Sequence, residues 1–449
     1  MAMLQPYRAM KDSGVPWLGE VPAHWDVQRA KWLFRKMERP VRETDEVVTC
    51  FRDGVVTLRK NRRVRGFTES LKEIGYQGIR RGDLVIHAMD AFAGAVGVAD
   101  ADGKGTPVYS VCEPRRDANS YYYAYVVREM ARTQWILALA KGIRERSTDF
   151  RYTAFAAEPL PLPPLPEQAA IVRFLGHVDR RLRRYLRAKQ KLIGLLEEQK
   201  QAIIHRGVTR GLDPELPVKP SGVEWLGDVP EHWEVRRVKQ AAQILRGKFT
   251  HRPRNDPSLY DGPYPFIQTG EVARADKMIE GYRQTLNERG LAVSKVFPAG
   301  TLVMTIAANI GDVAVLDFEA CFPDSIVGFI PRSGVERDYL YYVFRAMKPK
   351  LLREAPVNTQ GNLNVERIGS IGVALPPAIE QQSVVRKIET STLGLNAAIN
   401  RARRQVELVR EYRTRVVADV VTGKLDVREA AAHLPDEPDQ REAPEHVKS

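Results

Sequence analysis

The chain is written twice. Residues 11–27 read KDSGVPWLGEVPAHWDV and residues 219–235 read KPSGVEWLGDVPEHWEV, with twelve of seventeen positions identical at an offset of 208. A second pair, LPLPPLPEQAAIVRFL from Leu160 and VALPPAIEQQSVVRKI from Val373, recurs at an offset of 213. That offset holds to the far end, where VTRGLD (208–213) matches VTGKLD (421–426). The intervening stretches correspond more weakly: Gly82–Ile86 with Gly300–Met304, Gly94–Val98 with Gly311–Val315, and the Tyr-rich runs after Asn119 and Asp338. A period near 210 residues is far too long for a solenoid and means two tandem copies of one unit. Each copy runs in the order variable globular part, Pro-rich hinge, long helix.

The hinge Leu160–Pro166 carries four prolines, which remove donors and fix φ, so it is extended. Helix is expected after Pro166, with Glu167 in the first turn where the macrodipole favours an anion. It should run to about His205 and stop before Gly207. Its apolar residues keep a 4,3 spacing through Ile171, Leu175, Val178, Leu182, Tyr185, Lys189, Leu192, Leu196, Gln199 and Ile203, a coiled-coil seam. The offset places a thinner seam of the same phase at Val384, Ile388, Ser391, Leu395, Ala398, Ala402, Gln405, Val409, Tyr412 and Val416. Each stripe needs a partner. With a globular part between them the two helices are expected to pair antiparallel; the alternative is that each packs on its own globular part. The globular parts read as mixed α/β (α+β). Short β-rich runs such as Asp83–His87, Thr301–Thr305 and Val313–Leu316 lie between Gly and Asp turns, and Tyr-rich helices follow.

Lys+Arg number 69 against 56 Asp+Glu, a formal net charge of +13, which favours an anionic partner, nucleic acid being the commonest. Cys50, Cys112 and Cys321 are too far apart to read as a disulfide framework or a metal site, and fit a reduced, cytoplasmic setting. The N-terminal stretch lacks the apolar core of a signal peptide, and no run of 18 apolar residues points to a membrane span. Catalytic signatures are missing from the sequence: no phosphate-binding G-x-x-x-x-G-K-[ST] loop, no Gly-rich methyl-donor loop after a strand, no Asn/Asp-Pro-Pro-aromatic motif of an amino-methyltransferase, and no metal motif among the eight His. The chain is therefore read as a non-enzyme without a metal or bound cofactor. His24 and His232, repeated in Pro-x-His-Trp, are read as packing residues.

Basic and amide residues point to DNA. Arg59, Lys60, Arg62, Arg63 and Arg65 put five cations in seven residues, and Arg246, Lys248, His251, Arg252 and Arg254 form a looser counterpart. Such clusters suit phosphate contacts, although a solvated loop has the same composition. Thr359, Gln360 and Asn362 lie in a run rich in side chains able to pair with adenine in the major groove, and equally ordinary in turns. Arg180, Arg181, Arg183, Arg184 and Arg187 mark a solvated helix face or a subunit contact.

The whole pattern resembles a known family. Its elements are Pro-x-His-Trp near the start of each copy, the Leu-Pro-Pro-x-x-Glu-Gln hinge (162–168 and 375–381) and the long helix after it. The runs Tyr264–Gly270, Ile306–Gly311, Phe322–Gly328 and Thr359–Asn364 add to these. Together, over about residues 11–426, they resemble the specificity subunits of Type I restriction-modification systems. The resemblance implies two target-recognition domains joined by two long antiparallel coiled-coil helices, a pseudo-twofold duplication. It implies double-stranded DNA as partner, together with two modification (methyltransferase) subunits that bring S-adenosylmethionine and motor-nuclease restriction subunits that use ATP and Mg²⁺. Gln268, Thr269 and Asn309, within the matching runs, join the candidate DNA contacts. The first copy departs from the second around Gly82–Asp90, so the two are expected to read different sequences.

On this reading residues 11–160 are the first target-recognition domain and 161–211 the hinge and first helix. Residues 212–375 are the second domain, 376–426 the second hinge and helix, and 427–449 a disordered acidic tail. Two other readings stay open. A bipartite DNA-binding regulator would bind an operator without partners, though no helix-turn-helix is evident. A freestanding restriction enzyme or methyltransferase would need a catalytic motif that is not recognisable here.

Overall fold

The computed structural model describes residues 4–62, 73–139, 149–211, 213, 215–354 and 363–435. The chain forms two compact units: residues 1–188 with 405–449, and residues 189–404. They are called unit 1 and unit 2 below.

The mixed α/β reading holds in each unit. Unit 1 carries an antiparallel sheet in the order Phe34–Lys36, Tyr109–Pro114, Leu84–His87, Val96–Val98. Unit 2 repeats that order as Ala242–Arg246, Ile326–Pro331, Leu302–Thr305, Val313–Leu316, and adds Met278–Ile279 as a parallel edge. The smaller pieces recur too. Strand Asp26–Arg29 pairs with Pro159–Leu162, as Glu234–Arg237 pairs with Gly372–Leu375. Met10–Asp12 pairs with Glu20–Pro22, as Val218–Pro220 pairs with Asp228–Pro230. The Tyr-rich runs are helices, Ser120–Arg132 and Arg337–Glu354. Their aromatic faces pack on the sheets, with Tyr122, Tyr123 and Phe34 buried in unit 1 and Tyr339, Tyr341 and Phe329 in unit 2.

The units differ in what is inserted between the first and second sheet strands in sequence. Unit 1 places there the hairpin Val48–Cys50/Val56–Leu58 and the strand Gln77–Ile79, which pairs with Gly103–Gly105. Unit 2 instead has Tyr260–Phe266, Gln284–Leu286 and Val296–Phe297, which join Ala320–Cys321 in a second sheet. The four-stranded sheet, the two strand pairs and the Tyr-rich helix follow one frame.

Two long helices, Leu165–Arg210 and Ala378–Val421, connect the units, and each contributes to both. Within unit 1, Asp179 pairs with Arg413; within unit 2, Glu197 pairs with Arg403 and Gly207 packs on Ile388. In unit 2 one number rises as the other falls, so the helices run antiparallel there. Each end also packs on its globular part, and so both expected partners are used. Of the seam residues, Ile171, Leu175, Val178, Val384, Ile388, Ala402 and Val416 are buried, while Leu182, Leu196, Leu395 and Val409 are half-buried. Leu192 stands 41% exposed, and burial extends off the seam to Ile204, Val208, Ile399 and Val406. A strict seven-residue pattern cannot capture helices whose ends face a sheet domain as well as each other.

Two further expectations change. The first helix does not stop before Gly207 but runs to Arg210. Gly207 is interior because a Cβ there would meet Ile388 Cδ1 at 2.8 Å, and the terminating glycine is Gly211, at φ +73°. The stretch from 427 is not wholly disordered: Arg428–Ala432 is helical, with Val427 and Ala431 buried in the core of unit 1. Residues 436–449 lie outside the described residues.

Candidate nucleic-acid interface

The repeated motifs fix the frame. In unit 1 the Glu167 carboxylate, in the first turn of its helix, accepts from Trp25 Nε1 at 2.9 Å and His24 Nε2 at 2.8 Å, and also from the Tyr7 hydroxyl. In unit 2 Glu380 accepts from Trp233 Nε1 at 2.9 Å and His232 Nε2 at 2.8 Å. The neighbouring glutamines repeat as well. Gln168 bonds to the Pro163 and Asp117 carbonyls and the Asn119 N–H, and Gln381 to the Pro376 and Gly334 carbonyls and the Glu336 N–H. These residues rivet the hinge to the entrance of each unit. His24 and His232 each spend one ring nitrogen on the glutamate of their own unit.

The frame presents the variable insert of each unit from a closed base. Ala30 N–H bonds to Glu158 O at 2.9 Å, and Val238 N–H to Ile371 O at 2.9 Å, so each domain leaves and re-enters its frame at one point.

The first basic cluster follows the hairpin of unit 1. Arg59 donates to Thr49 Oγ1 at 3.3 Å, Lys60 pairs with Glu46 at 2.5 Å, and Arg62 pairs with Asp53 at 2.8 Å while lying over the Phe51 ring. Burial raises the Asp53 carboxyl, but the Arg62 guanidinium and the Val55 N–H outweigh it and hold it below its ordinary value. Arg63 and Arg65 lie outside the described residues. So do Thr359, Gln360 and Asn362.

In unit 2 the segment from Arg246 packs on the turn after Phe322. Gly247 N–H bonds to Ile326 O and Lys248 N–H to Phe322 O, and a Cβ on Gly247 would meet Pro323 O at 2.0 Å. Arg252 and Arg254 converge on Asp324, the former at 3.6 Å, and His251 pairs with Asp256 at 3.1 Å. Arg246 and Lys248 are exposed, and their side chains have no carboxylate partner among the described residues. Lys295 joins them: Ser294 Oγ donates to Lys248 O at 2.8 Å, so the exposed Lys295 flanks the same edge. The sequence reading missed Lys295 because it stands alone in the chain and only the fold brings it to the cluster.

Of the amide candidates, Gln268 and Asn309 lie among the described residues. Gln268 caps the helix Thr269–Arg274 through a reciprocal pair with Glu271 and donates to Gln284 at 3.1 Å. Thr269 is half-buried at that helix start. The helix packs on the strands Leu302–Thr305 and Val313–Leu316, whose connecting loop exposes Asn309. Leu363 N–H bonds to Ile306 O at 2.9 Å, tying the segment after Asn362 to the start of that loop. Amide groups and unpaired cations on one domain surface can contact base edges and phosphates. Among the described residues there is no group of three His, Cys, Asp or Glu placed to hold a metal ion, and no helix is long and apolar enough to cross a membrane.

Comparison with known proteins points the same way. Residues 230–408 match the family model of the Type I restriction modification DNA specificity domain. The putative type I restriction enzyme MjaX specificity subunit of Methanocaldococcus jannaschii is 20% identical over 431 residues, covering 92% of this chain and 96% of the relative. The MjaVIII specificity subunit of the same organism is 21% identical over 282 residues, covering 60% and 62%. A chain from a structure described as the basis of complex assembly and conformational transition of the type I R-M system matches the fold. Its TM-score is 0.64 at 16% identity, over 90% of this chain and 99% of that one.

Proposed function

We propose that the chain is a specificity subunit of a Type I restriction-modification system and that it reads a DNA target in two parts, one per unit. The observation that carries this reading is one frame built twice with different inserts at the equivalent place. The candidate contacts Arg59, Lys60 and Arg62 of unit 1, and Lys248, Arg252, Arg254, Gln268 and Thr269 of unit 2, sit in or beside those inserts. A shared frame with unlike inserts is what two different half-sites require.

In this reading the chain performs no chemistry. Two modification subunits supply S-adenosylmethionine and methylate adenine, and motor-nuclease subunits supply ATP and Mg²⁺ chemistry; the complex works in the cytoplasm. The long helices offer the partners their solvated faces, with Arg180, Arg181, Arg184 and Arg187 exposed or nearly so in unit 1. The test is a domain exchange. Replacing residues 31–158 by another first domain should change one half of the methylated motif and leave the other intact. A change in both halves, read by methylation sequencing of the host, contradicts the modular reading. The purified chain alone should bind duplex DNA and neither methylate nor cut it.

A further inference from the structure

The duplication supplies an internal control for charges buried beside the long helices. In unit 1 Arg413 pairs with Asp179 at 2.6 Å. Arg128 of the Tyr-rich helix shares their surroundings: burial and then Arg413 pull its guanidinium below the ordinary value, while Asp179 opposes them. The 213-residue offset turns Arg413 into Lys200 and Asp179 into Thr392. Tyr122 and Tyr339 donate to Val421 O and Val208 O, carbonyls separated by that same offset, so Arg128 corresponds to Arg345. Arg183, which also pairs with Asp179, becomes Asn396 by the same offset, so unit 2 keeps Lys200 and Arg345 and lacks both the carboxylate and its third cation. Thr392 spends its hydroxyl on Ile388 O of its own helix, at 2.8 Å.

Lys200 is 7% exposed and makes no hydrogen bond or ion pair with any described residue. Among the described residues the Arg345 side chain bonds only to a neutral partner, the Tyr341 hydroxyl at 3.1 Å. Both open onto a cavity of about 460 Å³ within unit 2. Three other cations line it, each already held: Arg403 by Glu197 at 3.0 Å, Arg274 by Glu271 at 2.6 Å, and Lys348 by Asp312. Asp276 also faces the cavity without bonding to Lys200. Burial and then Arg345 pull the Lys200 ammonium below its ordinary value, Asp276 and Glu197 oppose this, and Arg403 adds to it. A buried ammonium without a partner is costly, and a polar cavity beside it is where a missing anion belongs.

We propose that this cavity binds a phosphate-class oxyanion, held by Lys200 and Arg345 in the role that Asp179 plays in unit 1. The cavity is much larger than a carboxylate, and the Asn396 and Asn400 side chains lie on its wall, so a group with several acceptor oxygens fits better than a chloride or a single carboxylate. The phosphate comes either free from solution or from a DNA backbone. The assignment does not rest on the DNA-reading proposal, since a chain that read no DNA would still bind inorganic phosphate here.

The experiment titrates the full chain with inorganic phosphate at constant ionic strength, by calorimetry and thermal denaturation, with chloride as control. Phosphate should bind and raise the melting temperature. Lys200→Met should weaken binding by about tenfold or more, the loss of one charged hydrogen bond. Thr392→Asp, which restores the carboxylate of unit 1, should remove the phosphate response and raise the melting temperature in its absence. Non-specific duplex that displaces the phosphate assigns the source to the DNA backbone; duplex that leaves it bound assigns a free ion. No phosphate binding by the parent chain, or binding by both variants as tight as the parent's, overturns the proposal.

Discussion

Unit 1 and unit 2 share a frame but close it differently. In unit 2 the first long helix, ending at Arg210, and strand Val218–Pro220 are joined by a seven-residue stretch of the same chain, 211–217. In unit 1 the equivalent passage is split between the two ends of the chain. The second long helix leads to Asp426, strand Met10–Asp12 is entered from Gln5, and a bridge between Gln5 and Asp426 spans the gap, with Asp426 N–H on Gln5 O at 2.8 Å. By the two offsets Gln5 and Asp426 both fall on position 213. What is one covalent step in unit 2 is a contact between residues distant in sequence in unit 1, and closing such a contact costs loop entropy that a continuous stretch does not. Unit 1 has extra contacts there. Tyr7 reaches Glu167, Arg428 lies over the Tyr7 ring at 5.3 Å, and Asp426 pairs with Arg428 at 2.6 Å. Unit 2 has Glu215 where the offset would place a counterpart of Tyr7.

The sharpest way to break this comparison is at the paired glutamates. Glu167 is 4% exposed and satisfies three donors; Glu380 is 25% exposed and satisfies two. Glu167→Ala should destabilise unit 1 by about 3 kcal/mol, and Glu380→Ala unit 2 by roughly half as much, because buried donors are left unpaired. Scanning calorimetry that shows equal losses would mean that the Tyr7 contact contributes nothing.

A smaller effect concerns acid. The Arg428 side chain holds the Asp426 carboxyl below its ordinary value. The folded state therefore binds this proton less readily than the unfolded state. The resulting stability is fully present above the unfolded carboxyl range, about pH 4, and is lost as pH falls through the depressed folded value. Asp426→Asn should remove that acid dependence from the unit 1 transition at a cost of about 1 kcal/mol at neutral pH, and leave unit 2 unchanged. An unaltered acid limb in the variant would place the titration elsewhere.

The smallest effect separates the basic clusters. Among the described residues Arg246 and Lys248 of unit 2 are without carboxylate partners, whereas Arg62 of unit 1 is already paired with Asp53. Arg246→Gln or Lys248→Gln should reduce the salt dependence of DNA binding by about one unit each, for all sequences alike. Arg62→Gln should change it less, since phosphate must first displace Asp53. If filter binding across salt concentrations gives Arg62→Gln the larger change, the order of the clusters is reversed.

The sequence by itself determined the duplication, the extended hinges, the two long helices and the short β-runs of the sheets. These are local properties: prolines fix φ where they stand, and periodicity marks an element wherever it occurs. The recurrence of Pro-x-His-Trp and Glu-Gln was equally plain, but their union was not, because Trp25 and Glu167 meet across 142 residues and no local pattern encodes a distant partner. Charge behaved the same way. The basic runs were legible, whereas their pairing to Asp53 and Asp324, the arrival of Lys295 beside Lys248, and the unpaired state of Lys200 exist only in the fold. Tertiary structure decided these features because the energy of a charge depends on what surrounds it, and its surroundings come from remote parts of the chain.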